Sequence, residues 1–167
     1  MDPRIRRKIV KCVKEICTKP FEELCNEYDV VLIDWASIVY GLKNPLNFLI
    51  NLRMAEQLGL VRSRFIIVVD YSKEVHRQVF DRKFRKYFDE NHVEYVLAED
   101  EPAEIKAAKM CKNYLDRGLL SIVVTRDYDP LLYVDYIAQP FRCKYKWNVK
   151  LVCIDRKCLE DTLKLGR

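Results

Sequence analysis

Glycine and histidine are scarce in this chain, which has four glycines and two histidines among 167 residues. A loop that cradles a phosphate with its backbone needs closely spaced glycines, and no such cluster is present. The cysteines form no CxxC pair, and His76 and His92 lie at no zinc-site spacing from them. The sequence therefore favours neither a glycine-rich phosphate loop nor a zinc site.

Long apolar runs are absent as well. No stretch of about 18 uncharged apolar residues occurs, so no membrane span is expected. The basic N-terminal segment lacks the apolar core of a secretion signal, so we expect a cytoplasmic protein. A length of 167 residues predicts one domain with a sizeable core. The net charge of +5 is compatible with a polyanionic partner.

Cysteine, by contrast, is plentiful. Buried free thiols in a reducing cytoplasm are the favoured interpretation. Intracellular disulfides, as in hyperthermophiles, are the alternative, because three glutamines stand against 30 lysines and arginines. The residues concerned are Cys12, Cys17, Cys25, Cys111, Cys143, Cys153 and Cys158.

Strand and helix patterns alternate along the chain. This alternation predicts an α/β fold, a Rossmann-like three-layer α/β/α arrangement with a mostly parallel five-stranded central sheet. A helix is predicted at 3–18. We expect residues 1–28 to form an N-terminal helical extension that packs on the core of a single domain, 1–167. Strands are predicted at 30–33, 65–69, 93–97, 122–124 and 149–154. Further helices are predicted at 21–27, 45–58, 72–91, 102–118, 130–137 and 159–165, with a basic aromatic loop at 140–148.

Acidic residues recur at four consecutive strand-to-helix junctions. The carboxyl ends of parallel strands meet at one edge of a sheet, where ligands bind. Carboxylates gathered there repel one another unless a cation or a proton intervenes. Oxygen ligands without histidine or cysteine favour Mg²⁺ or Mn²⁺. Helix capping, turn formation and helix-dipole stabilisation are the structural alternatives. The residues are Asp34, Asp70, Glu101, Glu104, Asp127 and Asp129.

The order of these motifs over roughly residues 29–155 resembles the PIN-like nuclease superfamily, which includes PIN and NYN ribonucleases and the flap/5′-nucleases. The first strand ending in Asp34 looks like the family's first strand-end aspartate. Asp70, followed by a basic aromatic helix, is similar to the second strand of the 5′-nucleases. The segment EPAEI at 101–105 resembles their EADDI, and VTRDYD at 124–129 resembles their TGDxD.

The resemblance implies a PIN-like domain in which Asp34, Glu104 and Asp127 are the main ligands of Mg²⁺ or Mn²⁺. Asp129, Glu101 and Asp70 would support them or hold a second ion. The predicted catalytic residues are Asp34, Glu104, Asp127 and Asp129.

Three positions depart from the family pattern. Ala103 stands where 5′-nucleases have one of an acidic pair, and Arg126 replaces the usual small residue before the first aspartate. Ser37 stands where NYN proteins usually carry asparagine. The chain also has no room for the large helical insertions of flap nucleases, so a compact PIN or NYN-like enzyme is the closer match.

Basic residues are available to contact a phosphate backbone, and Tyr145 and Trp147 are candidates for stacking on an unpaired base. A solvated surface is the alternative for each of them. The candidate contacts are Arg82, Arg85, Lys86, Arg126, Arg142, Lys144 and Lys146.

The predicted function is hydrolysis of phosphodiester bonds by a metal-dependent nuclease, with RNA favoured over DNA. Nucleic acid is the expected partner, no membrane is involved, and a homodimer is compatible with the sequence. A catalytically degenerate PIN-like module that binds nucleic acid or a protein is the first alternative, which Ala103 and Arg126 support. A Toprim-like metal domain and an unrelated doubly wound nucleotide-binding domain rank below it.

Overall fold

A computed structural model of the protein describes residues 3–41, 44–144 and 146–165. In this part of the chain the strands are β1 (Val13–Pro20), β2 (Val30–Asp34), β3 (Arg64–Asp70), β4 (Tyr95–Ala98), β5 (Ser121–Val124), β6 (Tyr136–Cys143) and β7 (Lys146–Ile154). The α-helices are α1 (Pro3–Lys11), α2 (Phe21–Glu27), α3 (Trp35–Gly41), α4 (Pro45–Gln57), α5 (Glu74–Lys83), α6 (Arg85–Glu90), α7 (Ala103–Asp116) and α8 (Arg156–Leu165). A 3₁₀ helix covers Asp129–Leu132.

The described strands form one sheet in the order β1-β7-β6-β5-β2-β3-β4. The neighbours from β6 through β4 are parallel, and β7 is antiparallel to both β6 and β1. The α/β class and the mostly parallel sheet are therefore confirmed. The predicted number of strands is wrong, because the sheet has seven strands rather than five.

The first additional strand is β1, and the predicted helix at 3–18 is wrong beyond Lys11. Its apolar residues fit a helical stripe, but residues 13–20 instead pair along β7 with a bulge between Glu15 and Cys17. Backbone pairing with a strand more than 100 residues away overrides the local periodicity. The N-terminal segment is thus partly strand, and it extends the sheet.

The second additional strand is β6. The predicted helix at 130–137 shrinks to the short 3₁₀ helix, and much of the predicted loop at 140–148 belongs to the β6–β7 hairpin. Pro140 argues against a strand at the level of sequence, because proline normally breaks a central strand. Here β6 pairs with β5 only at Ile137 and Ala138, so Pro140 lies where no second neighbour is bonded.

Helices cover both faces of the sheet. Phe48 and Phe88, from α4 and α6, pack on one face with Val31 and Ile33 of β2. The helices α1, α7 and α8 pack on the opposite face, where Ile9, Ala107 and Leu159 are buried. The predicted helix at 72–91 is in fact two helices, separated at Phe84. Within the described residues, no helix combines the length and apolar character needed to cross a membrane.

Cys12 and Cys158 form a disulfide between the end of α1 and the first turn of α8. The interpretation of every cysteine as a free thiol is therefore wrong for this pair. The free cysteines are Cys17, Cys25, Cys111, Cys143 and Cys153. Of these, Cys25 and Cys111 are buried, and their burial raises the pKa of each thiol, in Cys111 to about 12.

Candidate metal centre

The sheet order reverses direction at β2. β3 and β4 lie on one side of β2, whereas β5 and β6 lie on the other. In open α/β sheets, ligands bind at the carboxyl ends of the strands at such a reversal. Asp34 ends β2, and Asp127 lies in the loop after β5. Both carboxylates therefore occupy the position at which this fold class binds ligands.

Glu104 reaches the same place from α7. Side chains alternate along a strand, and Leu32 of β2 packs in the cluster that contains Ala103 and Ala107 of α7. Asp34, two residues after Leu32, projects toward the same face. Glu104 lies in the first turn of α7, and its side chain reaches Asp34 because α7 packs on this face of the sheet.

Carboxylate oxygens of Asp34, Glu104 and Asp127 lie within 4.8 Å of one another. Asp34 is buried, and the other two side chains are half-buried. In the part of the chain that the structure describes, no lysine or arginine forms an ion pair with any of the three. We call these three residues the carboxylate triad. Its mutual repulsion calls for a cation or a proton.

Two hydroxyls orient Asp34. Ser37 Oγ donates to Asp34 Oδ2 over 2.8 Å, and Thr125 Oγ1 donates to the same oxygen over 2.9 Å. The backbone N–H groups of Arg126 and Asp127 donate to Ser37 Oγ and Thr125 Oγ1, respectively. This network joins the end of β2 to the loop after β5 and fixes the direction of the Asp34 carboxylate.

The second oxygen of Asp34 has no hydrogen-bond partner among the described residues, although it is buried. A buried carboxylate oxygen without a donor is energetically costly. The donor set around it contains only carboxylate oxygens, which suit a hard divalent cation such as Mg²⁺ or Mn²⁺. The residues present therefore fit a metal ion.

The pKa values of the triad reflect its burial and crowding. Burial raises the pKa of Asp34 to about 6, against the lowering effect of the hydrogen bonds from Ser37 and Thr125. Burial, together with the charges of Asp34 and Asp127, raises the pKa of Glu104 to about 7. Burial likewise raises the pKa of Asp127. These side chains hold protons more tightly than ordinary carboxylates when no cation is bound.

Asp129 is not part of the triad, because its side chain is paired with Arg6. It is 3% exposed in the 3₁₀ helix, and its Oδ2 accepts a hydrogen bond from Arg6 Nη2 over 3.0 Å. The charge of Asp129 raises the pKa of Asp127, whereas Arg6 and Arg126 lower it. Asp129 therefore neighbours the triad but is paired with an arginine from α1.

Asp70 and Glu101 are also engaged elsewhere. Asp70 accepts a hydrogen bond from Ser72 Oγ over 3.1 Å, and its other oxygen lies 3.1 Å from His76 Nδ1. Glu101 accepts a hydrogen bond from Lys109 Nζ over 2.6 Å. The charge of Asp70 still raises the pKa of Glu104. Neither residue is among the three carboxylates that converge, and their roles as ligands stay predictions.

The predicted phosphate contacts lie in three places. Arg82, Arg85 and Lys86 lie at the α5–α6 junction, where Arg85 pairs with Asp81 over 3.2 Å and Lys86 approaches Glu90 at 3.9 Å. Arg126 adjoins the triad in the loop after β5.

The third group lies on the β6–β7 hairpin, where Lys144 and Lys146 are exposed and Arg142 lies over the Trp147 ring at 5.6 Å. Trp147 itself packs edge-on against Phe48 at 5.3 Å. Its stacking on a base stays a prediction, and Tyr145 lies outside the described residues.

Sequence reasoning missed three contributors to this site. Thr125 lies inside the VTRDYD motif, but its role as a donor to Asp34 depends on the pairing of β2 with β5. Ser37 follows Asp34 by three residues, a spacing that allows its hydroxyl to donate a hydrogen bond to that carboxylate. Arg6 gave no signal, because its partner lies 123 residues away in sequence.

Comparison of the chain with protein-family models and with curated proteins finds no match. The geometry of the carboxylates and their basic neighbours is therefore the basis for inferring what the protein does.

Proposed function

We propose that the protein is a divalent-metal-dependent nuclease that hydrolyses phosphodiester bonds, with RNA favoured over DNA. The observation that carries this proposal is the carboxylate triad, drawn from β2, α7 and the loop after β5, with its oxygens within 4.8 Å. Three separate elements deliver carboxylates to one point at the carboxyl edge of the sheet. That convergence is costly unless a cation or a proton neutralises part of the charge, and the all-oxygen ligand set favours a divalent cation.

Asp34, Glu104 and Asp127 are the residues that would hold Mg²⁺ or Mn²⁺. When bound, such an ion supplies Lewis-acid stabilisation of charge on a phosphodiester and makes water more acidic. Ser37 and Thr125 keep Asp34 aimed at the centre by occupying only its Oδ2. Arg126 provides positive charge next to Asp127, where the phosphate of a substrate would otherwise meet only carboxylates.

The resemblance to PIN-like nucleases supports the same reaction class, and it is the source of the preference for RNA. The exposed lysines of the β6–β7 hairpin and the arginines of α5 and α6 supply the positive charge that a polyanionic substrate needs. No covalent intermediate is required, because a water molecule can serve as the nucleophile.

The proposal is tested by incubating labelled single-stranded RNA and DNA with the protein in Mg²⁺, Mn²⁺ or EDTA. Asp127→Asn removes one triad carboxylate, and we expect it to lower the cleavage rate more than about 100-fold, since even outer partners of metal ligands contribute 10- to 100-fold. Asp116→Asn, which changes an exposed carboxylate at the end of α7, is the matched control and should cleave like wild type.

Metal-dependent products that Asp127→Asn loses and Asp116→Asn keeps would support the nuclease. Products that persist in EDTA, or that both variants yield equally, would contradict it. The ratio of RNA to DNA cleavage tests the substrate preference in the same experiment.

A binding module without nuclease activity is the second candidate. Two arginines act on the centre, Arg6 through its pair with Asp129 and Arg126 through its charge near Asp127, and such charges can replace a cation. Ala103, where 5′-nucleases carry an acidic residue, is fully buried and offers no ligand. This alternative predicts nucleic-acid binding that is undiminished by EDTA, together with an absence of cleavage.

A further inference from the structure

Arg6 brings a positive charge from outside the predicted site to the edge of the triad. Its Nη2 lies 3.0 Å from Asp129 Oδ2, and the side chain of Arg6 is 53% exposed while that of Asp129 is 5% exposed. The ion pair therefore has a buried acidic end and a solvent-facing basic end. A guanidinium has five N–H donors, and Asp129 accepts from one of its nitrogens.

The charge of Arg6 also reaches the triad. Asp129 raises the pKa of Arg6 most, and Asp127 and Glu104 raise it further. In return, Arg6 lowers the pKa of Asp127. Arg6 and Arg126 thus both act on Asp127, although they lie far apart in the sequence.

Helix α1, which carries Arg6, is fixed to the core. Ile9 is fully buried, and Cys12 at the end of the helix is bonded to Cys158. The carbonyl of Cys12 also accepts a hydrogen bond from the backbone N–H of Asp155 over 2.9 Å. Arg6 is therefore presented by an anchored helix, so little conformational entropy is lost when it contacts a ligand.

We propose that Arg6 is a substrate-contacting residue, which Asp129 orients so that its remaining donors meet a phosphate oxygen of a nucleic-acid strand crossing the triad. The inference depends on the proposed function for the identity of the substrate. It assigns Asp129 the role of positioning residue for Arg6, because Asp129 Oδ2 accepts the hydrogen bond that holds the guanidinium in place. Charge-assisted bonds from arginine to phosphate are among the stronger hydrogen bonds in proteins.

A purely structural role is the competing explanation, in which Arg6 only neutralises the buried Asp129. The two explanations differ in their dependence on salt. A phosphate contact releases a counterion from the strand, so its loss lowers the slope of log Kd against log salt by about 0.7 for a single strand. Loss of a structural ion pair changes protein stability and leaves that slope unchanged.

The experiment measures binding of labelled single-stranded RNA by fluorescence anisotropy at several salt concentrations in Ca²⁺, an oxygen-seeking cation. Arg6→Gln is compared with Arg7→Gln, which removes the same charge from an exposed position on the same helix. We expect Arg6→Gln to weaken binding about tenfold and to lower the salt slope by about 0.7. Arg7→Gln should leave both unchanged, and Arg6→Lys should restore the slope but only part of the affinity.

Arg6→Gln leaves Asp129 buried without its partner, and a double variant guards against misfolding. Arg6→Gln together with Asp129→Asn removes both charges and should show the same lower slope with a melting temperature closer to wild type. Equal affinity and equal slope for Arg6→Gln and Arg7→Gln would overturn the inference, as would a complete lack of RNA binding by wild type.

Cleavage in Mg²⁺ or Mn²⁺ is recorded in parallel, so that failure of the nuclease is distinguishable from failure of the inference. Cleavage by wild type with no difference between the two arginine variants would retain the nuclease and reject the role of Arg6. A specific effect of Arg6→Gln on binding without any cleavage would retain the phosphate contact and reject the nuclease.

Discussion

Burial and hydrogen bonding act in opposite directions on the Asp34 carboxylate. Burial favours its protonated form, whereas donors from Ser37 and Thr125 favour the charged form, and its pKa is raised to about 6. Glu104 has fewer hydrogen-bond donors and more acidic neighbours, and its pKa is raised to about 7. Near neutral pH the cation-free centre therefore shares protons among its carboxylates, and a bound cation would displace them.

Stability is expected to depend on pH at these residues. The pKa values of Asp34 and Glu104 rise from 3.8 to about 6 and from 4.5 to about 7 on folding. The folded state thus binds more protons than the unfolded state in this window, and stability falls as pH rises from about 4 to about 7. In EDTA, we expect the melting temperature of wild type to fall more steeply between pH 5 and pH 8 than that of Glu104→Gln.

Saturating Mn²⁺ should offset this loss at pH 7.5. A ligand at about 100 times its Kd stabilises the folded state by about 2.7 kcal/mol, or a rise of about 5–10 °C for a chain of this size. Asp116→Asn should respond as wild type does, and Glu104→Gln should respond much less. Thermal unfolding with equal Mn²⁺ shifts in wild type and Glu104→Gln would count against the triad as the binding site.

The β6–β7 hairpin extends beyond the pairing of β6 with β5, and its tip carries exposed lysines. β6 runs parallel to β5 and continues from Ala138, its last pairing with that strand, to Cys143. At the usual rise per residue, the hairpin extends about 16 Å beyond that pairing, past the edge on which the triad lies. Trp147 anchors it through its contact with Phe48. The lysines at its tip can therefore contact a strand that enters the triad.

Replacing Lys144 and Lys146 together with glutamine should lower the salt slope of RNA binding by about 1.4, because each of the two lysines would contribute about 0.7 through its own phosphate. Both side chains are exposed, so the melting temperature should change little. Lys112→Gln with Lys157→Gln removes two exposed charges from α7 and α8 and is the matched control. A similar reduction in slope from both double variants would indicate a nonspecific effect of net charge.

Local sequence patterns correctly predicted strands that are buried on both faces and helices that are bounded by proline or glycine. β2 and β5 are buried apolar runs rich in β-branched residues, and Gly118, with φ of +83°, ends the segment after α7 as expected. The meeting of Asp34, Glu104 and Asp127 was expected because the carboxyl ends of parallel strands lie at one edge of a sheet, but only these three of the six predicted carboxylates converge. β6 was not predicted because Pro140 argued against a strand, although β6 forms a local hairpin with β7. β1 could not be predicted from local patterns, because pairing with the distant β7 determines it. The same reason hid Arg6, whose partner is distant in sequence.

At the scale of the whole molecule, the disulfide joins the first and last helices that the structure describes. It closes a loop with a sequence separation of 146 residues. Restricting so long a loop in the unfolded chain contributes about 5 kcal/mol in the chain-entropy treatment. The bond therefore stabilises the whole sheet as well as the position of α1.

Alkylation of the unfolded protein without reductant should modify five cysteines, and prior reduction should raise the number to seven. Cys12→Ser should lower the melting temperature by about 10–20 °C, as expected for a loss of up to about 5 kcal/mol. Cys153→Ser, at a half-buried free thiol, is the control and should cause a much smaller change. Seven reactive thiols before reduction would show that the bond is absent.

The disulfide also has a mechanical consequence. Tension applied to the chain outside Cys12 and Cys158 passes through the sulfur–sulfur link and bypasses the sheet between them. Stretching the oxidised protein would extend only the chain outside the pair, whereas the reduced protein would release roughly 500 Å of additional contour length. The oxidation state of one bond thus determines whether a pulling force, such as that of an unfolding motor, reaches the edge of the sheet on which the triad lies.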